Sequence, residues 1–527
     1  MGTFGDFVIA RTGMMSSQMA LNITGQNISN INTTGYTRRS LDQSTFVVNG
    51  SGLYRSVSTV YAGAGVMMNG VSQLRDPYLD IRFRNEMSNV GSADALLAGM
   101  EQIEQVINDV GIEGITTQFQ DLLDKFNKLN ANNIGTAEFD NLIKNSAESL
   151  CQLLNQAASK LQDAKDNYEK KYKEEVGNID TLVQNIRDIN EQIRKADING
   201  DAALELRDQR NMLLDELSQY MKVDITYGKE DLGAGVEIEK LTINVVDKST
   251  GKPGYTLIDG INSASIIMND DYSLKVGQLE DKHGNVVLDE AGNPIKNGPI
   301  KQGMGYGALE SMRQILTGQG EYSADGKNTT KGIPYYQSSL NALAKTFADA
   351  MNKLNTQDAN GTNLDPNKID GAGNLFETSD GTTDITAANI SISDAWRNGT
   401  VNIVASTKED APSDANDNIL RFQALFSQNI KFEGAQAGSV IYNGTFEGFY
   451  ANMQGVLGLD MQTTSSMYDT YATAADDLNN SRDAVSGVDL NEEGVNMLQY
   501  QKAFAASCRM ITALDELMEQ VINRMGV

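Results

Sequence analysis

Residues able to do chemistry are sparse and badly spaced for it. The only histidine, His283, sits in a His-Gly-Asn sequence that reads as an exposed turn; a single imidazole removes HExxH zinc sites, and a solvent-exposed turn is no place for the buried, oriented imidazole of a His-based triad. Two cysteines, Cys151 and Cys508, can build neither a disulfide framework nor a Cys-based zinc site. Cys151 follows Ala147 by four and Cys508 lies between Phe504 and Ile511, so both are expected as small core residues. Gly303, Gly305 and Gly307 lack the spacing and strand-to-helix context of a dinucleotide loop, and no Walker A loop occurs. Asp358, Asn360, Asn363, Asp365, Asn367 and Asp370 form an oxygen-rich run without the EF-hand order of ligands. It reads as a polar turn cluster, with calcium as the alternative. Carboxylates are too abundant for any pair to nominate a glycosidase acid and base. The expectation is a chain that is not an enzyme and takes no cofactor or metal.

Charge narrows the partners. Lys and Arg total 43 against 70 Asp and Glu, a net charge of -27, which repels phosphate backbones and anionic bilayers. Neither nucleic acid nor membrane is expected. The opening MGTFGDFVIARTG has no basic region ahead of an apolar one, Asp6 breaks the myristoylation pattern, and no later run is long enough to cross a bilayer. Neither a Sec-type signal nor an anchor is expected.

With chemistry set aside, the positioning elements carry the information, above all the two ends. Phe7, Met14, Leu21 and Ile28 fall seven apart, with Ala10, Ser17, Thr24 and Ile31 three after each. Leu490, Met497, Phe504, Ile511, Met518 and Met525 repeat the pattern, with Tyr500, Ser507, Leu514 and Val521 as the second line. These are a/d seams built to meet partner helices. Asp489 and Glu492 are placed as N-cap and N3 of the last helix. From Asp80 to about Met221 the sequence reads as long helices, clearest in Ile179, Leu182, Ile186, Ile189, Ile193 and Ala196. Asn199 and Gly200 interrupt the pattern before an antiparallel return through Leu206, Leu213 and Leu217.

The texture turns to β near Val223 with VDITYG, GVEIEKLTINVVD and GYTLIDG, and a second excursion carries ANISIS, TVNIVAS and the lone Trp396. The fold class is therefore mainly α with β insertions, an α+β multidomain chain. It comprises terminal coiled-coil helices (1–50 and 476–527), a helical rod domain made from both halves (51–225, 306–357 and 416–475), an outward β domain (226–305) and a small insertion (358–415).

Between the first seam and the rod stands ALNITGQNISNINTTGYTRRS, nearly uncharged until Arg38 and Arg39. Its helix must stop near Asn30. Asn27, Asn30 and Asn32 have amides able to bridge neighbouring backbone, and Gly35 allows a sharp turn before Tyr36. The run Ala20-Leu21-Asn22-Ile23, Asn27-Ile28-Ser29-Asn30 and Thr34-Gly35-Tyr36, together with the C-terminal heptads, resembles the bacterial flagellar axial proteins of rod, hook and hook-filament junction. Tyr36-Thr37-Arg38-Arg39, NIRDINEQI, Leu206-Arg207-Asp208-Gln209-Arg210 and SGVDLNEEGVNMLQYQKAFAASCRMI make it look like the junction members of that family.

The resemblance implies a structural subunit exported unfolded through the flagellar channel without a cleavable signal peptide, lying extracellularly in the flagellum. It would assemble by self-association in a helical or ring lattice, between the hook protein and the second junction protein (hook-associated protein 3). Expected N-terminal assembly residues are Phe7, Met14, Leu21, Ile28, Asn27, Asn30, Gly35 and Tyr36. Leu490, Met497, Phe504, Ile511, Leu514, Met518 and Val521 are expected to serve assembly and, before it, an export chaperone. A lone helix stripe cannot bury itself, so ordering of the ends is expected to await neighbouring subunits. Alternatives stay open: the hook protein or another axial subunit, an extracellular ligand-binding or hydrolytic protein acting through the insertions, and a monomeric bundle in which both end stripes pack together.

Overall fold

The computed structural model describes residues 3–45, 65–110, 114–128, 136–233, 237–247, 251–288, 292–295, 297–300, 307–324, 326, 329–412, 415–436 and 439–524. Met525, Gly303 and Gly305 lie outside them. The helical body is built from α2 (Pro77–Val110), α3 (Thr116–Asn127), α4 (Ala137–Ile198) and α5 (Leu204–Tyr220). At 62 residues, α4 spans about 90 Å at 1.5 Å per residue. Thr136 caps its start by accepting the Phe139 N–H. It ends where Asn199 leaves helical geometry and Gly200 adopts φ +78°, and α5 returns antiparallel, tied by Arg207 to Asp197.

Five strands follow as an antiparallel meander in the order β3-β4-β5-β6-β7: β3 (Val223–Asp231), β4 (Glu237–Asp247), β5 (Lys252–Asp259), β6 (Asn262–Met268) and β7 (Leu274–Glu280). An earlier hairpin, β1 (Arg39–Thr45) with β2 (Val66–Gln73), comes after the N-terminal helix α1 (Thr3–Ser29). The meander does not stand alone. Leu241, Ile243 and Val245 alternate inward at the period of two that a half-buried strand requires, and they share one continuous core with Ile179, Leu182 and Ile186 of α4. Polar contacts tie the same pair: the Ile266 N–H donates to Asp180 at 2.7 Å, and Asn190 donates to the Gly260 carbonyl at 3.0 Å.

The second half of the chain re-enters the helical body through α6 (Ala308–Thr317) and α7 (Ile333–Thr356), leaves it for the hairpin β8 (Phe376–Thr378) and β9 (Ile390–Ile392) and the turn α8 (Asp394–Arg397), and returns with α9 (Asp417–Ser427). A hairpin of β10 (Ile430–Glu433) and β11 (Val440–Gly444) then leads into α10 (Phe446–Ser486) and α11 (Leu490–Arg524). Helix α10 runs antiparallel to α2, with Arg482 beside Asp80 at one end and the Tyr450 hydroxyl donating to the Ile107 carbonyl at the other. Both halves meet in an aromatic cluster in which Phe347 contacts Phe119, Phe376 and Phe446, and Phe126 stacks on Phe422.

Two local expectations differ from the structure. TVNIVAS is not a strand: it is an irregular buried segment whose Ile403 and Val404 N–H groups donate to the Asp140 carboxylate and the Asn355 amide oxygen. Side chains of α4 and α7 take the place of a partner strand, which satisfies the backbone equally well. The hairpins β1/β2 and β10/β11 add strands where the sequence leads one to expect none; RSLDQST and VMMNGVSQ of the first lack β-branched alternation.

Candidate assembly interface

The expected assembly residues fall on α1, α11 and the crossing that joins them to the body. α1 and α11 pack antiparallel within one chain, with Asn27 beside Glu493 and Gly13 beside Ser507. The seam of α11 holds half-buried Met497, Tyr500, Phe504, Ser507, Ile511, Leu514 and Met518. Leu490 and Val521 lie outside it, both exposed. On α1 the fully buried positions are Ala10, Ser16, Ala20, Ile23, Thr24 and Asn27. The helix therefore turns its small residues inward, which permits close approach, and leaves Met14, Leu21 and Ile28 half-buried at the seam edge with Phe7 exposed. The end stripes thus meet each other within the single chain.

That pairing leaves a second apolar line uncovered. Val495, Leu498, Met510, Leu517 and Val521 are 42–64% exposed, with Ala503, Ala506 and Ala513 exposed between them at helical steps. On the other side, Met15, Met19, Met68 and Leu41 line a groove of about 410 Å³ between α1 and the β1/β2 hairpin. Exposed apolar lines of this length are rare on monomers and mark contact surfaces.

The crossing is polar and densely bonded. Asn27 is its hub: its amide oxygen accepts from the Tyr36 hydroxyl at 2.9 Å and the Arg39 N–H at 3.1 Å, and its amide nitrogen donates to the Arg39 carbonyl at 3.0 Å and to Glu493 at 3.2 Å. Burial pushes the Tyr36 hydroxyl above its ordinary value, which keeps it a donor. Gly35 adopts φ +77°, and a Cβ there would stand 2.2 Å from the Met212 sulfur. Among the described residues the Asn30 side chain bonds within its own turn, to the Gln26 carbonyl and Thr33.

Arg38 reaches α11, donating from Nε to Glu493 at 2.9 Å and from Nη2 to Glu492 at 2.7 Å. Burial opposes its charge, but the two carboxylates more than offset this and hold its pKa above the ordinary value. Arg39 turns the other way, to Glu205 at 2.6 Å and Asp208 at 3.9 Å on α5, with its guanidinium 4.9 Å from the Tyr36 ring centre. Burial pushes the Asp208 carboxyl up despite bonds from Thr37 and the nearby arginines. Beside them Arg482 bridges Asp80 at 3.1 Å and Asp215 at 2.8 Å, and Arg84 pairs with Asp215 at 2.7 Å.

Asp489 caps α11 by accepting from the Asn491 and Glu492 N–H groups, but Glu492 reaches Arg38 rather than back to the cap. The residue that sequence reasoning missed is Glu493, 2% exposed. Its signal was a carboxylate standing at a d position of an apolar heptad.

Elsewhere, His283 is exposed in its turn, and burial pushes the Cys151 thiol up to about 12. Asp358 and Asp365 accept from the N–H groups of Thr362 and Asn360 and of Asn367, as Asx turns do. Among the described residues no group of three His, Cys, Asp or Glu side chains could hold a metal, and no helix is long and apolar enough to cross a membrane.

Comparison with known proteins bears on the whole chain. The family model described as flagellar hook-associated protein FlgK helical domain matches residues 100–372. Models of the flagella basal body rod protein and of the flagellar basal body rod FlgEFG protein C-terminal match residues 7–37 and 482–525. Over 531 residues the chain is 25% identical to flagellar hook-associated protein 1 of Bacillus subtilis (strain 168), covering 100% of this chain and 99% of that protein. With its counterpart from Escherichia coli (strain K12) the identity is 23%, covering 98% of each. The fold resembles the flagellar hook junction protein FlgK from Burkholderia pseudomallei, at a TM-score of 0.53 and 13% identity over 77% of this chain and 100% of that one. With more than half of its residues inside the helical-domain model, the chain belongs to the flagellar hook-associated protein FlgK family, structural proteins of the extracellular flagellum.

Proposed function

We propose that this subunit joins hook to filament as a mechanical adaptor, contacting copies of itself laterally, the hook protein on one side and the second junction protein on the other. The observation that carries the reading is the uncovered apolar line of α11, Val495 to Val521, left over after the seam with α1 is filled. A line of that kind gains by meeting a further helix, and an axial subunit supplies one in each neighbour. The terminal segments 1–50 and 476–527 then form the inner layer, the helical body 51–225, 306–357 and 416–475 the next, and 226–305 with 358–415 the outward parts. Before assembly an export chaperone covers the same C-terminal helix, whose exposed Met510 and Leu517 invite aggregation.

Electron microscopy of cells lacking the gene, paired with an assay for flagellin in the medium, tests the assignment. Bare hooks with flagellin lost to the medium are expected. Missing hooks or normal filaments overturn it.

A further inference from the structure

Asn190 of the NIRDINEQI run on α4 and Arg207 and Arg210 of the LRDQR run on α5 take no part in the crossing or in the exposed apolar lines, and the structure brings them together against the β3–β7 meander. Arg207 and Arg210 stand about one turn apart on one face of α5 and divide the Glu239 carboxylate of β4 between them. Arg207 Nη1 donates to Oε2, and Arg210 Nη2 donates to Oε1 at 2.5 Å. Each arginine also reaches back to α4. Arg207 donates to both Asp197 oxygens at 2.9 and 3.1 Å, and Arg210 donates to the Asn190 amide oxygen at 3.1 Å. The Asn190 amide nitrogen in turn donates to the Gly260 carbonyl at 3.0 Å, in the turn between β5 and β6. A line of directional bonds thus leaves the sheet at Glu239, passes through α5 and α4, and re-enters the sheet at Gly260.

The line is shielded. Arg210 is 3% exposed and Asn190 is buried beside it, with the Arg210 guanidinium 5.4 Å from the Tyr227 ring centre. Glu239, 26% exposed, keeps its charge there: burial pushes its carboxyl up, but the two arginines more than offset this and hold it below the ordinary range. A further contact lies about 15 Å before Asn190 along α4, where the Asp180 carboxylate accepts the Ile266 N–H at the point where the β6–β7 register shifts. Asp180, Asn190 and Glu239 do not share one line, since two stand on α4 and the other is reached from α5. Three such points fix the orientation of one body on another. The apolar contact of Ile179, Leu182 and Ile186 with Leu241, Ile243 and Val245 holds helix and sheet together, but attraction of that kind has no direction. The buried bonds do, because another orientation strands a guanidinium away from both its partners and water.

We propose that Asn190, Arg207, Arg210 and Glu239 form a positioning lock that sets the orientation of the β meander on the helical body, so that sheet and rod move as one unit. Each is a positioning residue. Removing the lock leaves the helices and the sheet folded and their apolar contact in place, but frees the sheet to shift on α4. The role goes beyond the junction assignment and gives the two sequence runs a physical reason for their residue types. A guanidinium can serve Asn190 and Glu239 at once through separate nitrogens in a fixed fork, which a lysine ammonium at the same position cannot reproduce.

The test uses the full-length purified chain with Cys508→Ser, nitroxide labels at Glu101→Cys on α2 and Gln278→Cys on β7, and pulsed dipolar distance measurement. Both label positions are exposed, Cys151 is buried, and no label or lock residue lies on α1 or α11. The parent is expected to give a single narrow distance. The deciding variant combines Arg210→Met with Glu239→Gln, which removes the lock without leaving a buried charge unpaired, since Arg207 keeps Asp197. It is expected to retain the far-ultraviolet circular dichroism and melting of the parent while the distance peak broadens or shifts. Lys229→Gln, which breaks the exposed Lys229–Glu237 pair of the same sheet, is expected to leave the peak unchanged. A broad parent distribution, a narrow unshifted peak in the double variant, or equal broadening by Lys229→Gln overturns the proposal. Loss of helical circular dichroism in the double variant also overturns it, by making these residues determinants of folding and not of orientation. The measurement reads single subunits, so its failure is separate from failure of the junction assignment, which the deletion phenotype reads.

Discussion

The Trp396 indole Nε1 donates to both carboxylate oxygens of Asp140, at 3.0 and 3.2 Å, across 256 positions of sequence. The ring is fully buried against Phe376, and Asp140 also accepts from the Ile403 N–H. One carboxylate near the start of α4 thereby holds the whole 376–403 region against the helical body. Asp140→Ala orphans a buried indole N–H and a buried backbone N–H together, and is expected to cost about 3 kcal/mol. Trp396→Phe removes the donor and leaves the carboxylate with Ile403 and Lys144, expected at about 1–3 kcal/mol. Urea unfolding of each variant checks the order, and equal stability of Asp140→Ala with the parent would sink it.

Two helical glycines should respond to alanine with opposite signs. At Gly177 in α4 an added Cβ meets nothing within 4 Å, so Gly177→Ala should gain about 0.5–1 kcal/mol from helix propensity. At Gly91 in α2 the Cβ would stand 2.1 Å from the Gln219 carbonyl oxygen of α5, a backbone atom that cannot turn away. Gly91→Ala is expected to destabilise by about 1–3 kcal/mol as the two helices are forced apart. Thermal melting of the pair is the check.

The seam and the uncovered line of α11 separate folding from assembly. Phe504→Asp places a charge in the half-buried seam with α1 and should free both end helices to protease digestion. Leu517→Asp, on a side chain 53% exposed, should change the stability of the free chain by no more than about 0.5 kcal/mol. It should nevertheless abolish swimming, read on soft agar. Normal motility would remove the line from the assembly surface.

A pH dependence follows from Glu191 on α4, which pairs with Lys282 beyond β7 at 2.7 Å and with Lys195 at 2.9 Å. Hydrogen bonds from Lys282 and Lys195 hold its carboxyl at about 2, against an ordinary 4.5. The folded value is the depressed one. Stability from this bridge is therefore present above about pH 4.5 and lost as pH falls toward about 2. Solvent screens the pair, so Glu191→Gln should cost only about 0.5 kcal/mol at pH 7. The gap between parent and variant should close in acid, as measured by urea midpoints across that range.

How much of this was legible in sequence depends on how far apart the deciding residues lie. The a/d seam of α11, the break at Asn199 and Gly200, the stop of α1 near Asn30 and the Asp489 cap all follow from neighbours within one or two turns, where 3.6-residue periodicity and cap chemistry act. The single histidine and two cysteines by themselves determined that catalysis had little to stand on. Tertiary structure alone decided which surface each stripe meets, that Glu493 rather than Glu492 is the buried partner of Arg38, that TVNIVAS is satisfied by Asp140 and Asn355 instead of a strand, and where Trp396 finds its acceptor. Those contacts join residues from 49 to 455 positions apart. No local propensity encodes them, because a buried polar group accepts any partner of the right geometry that the packed helices bring within reach.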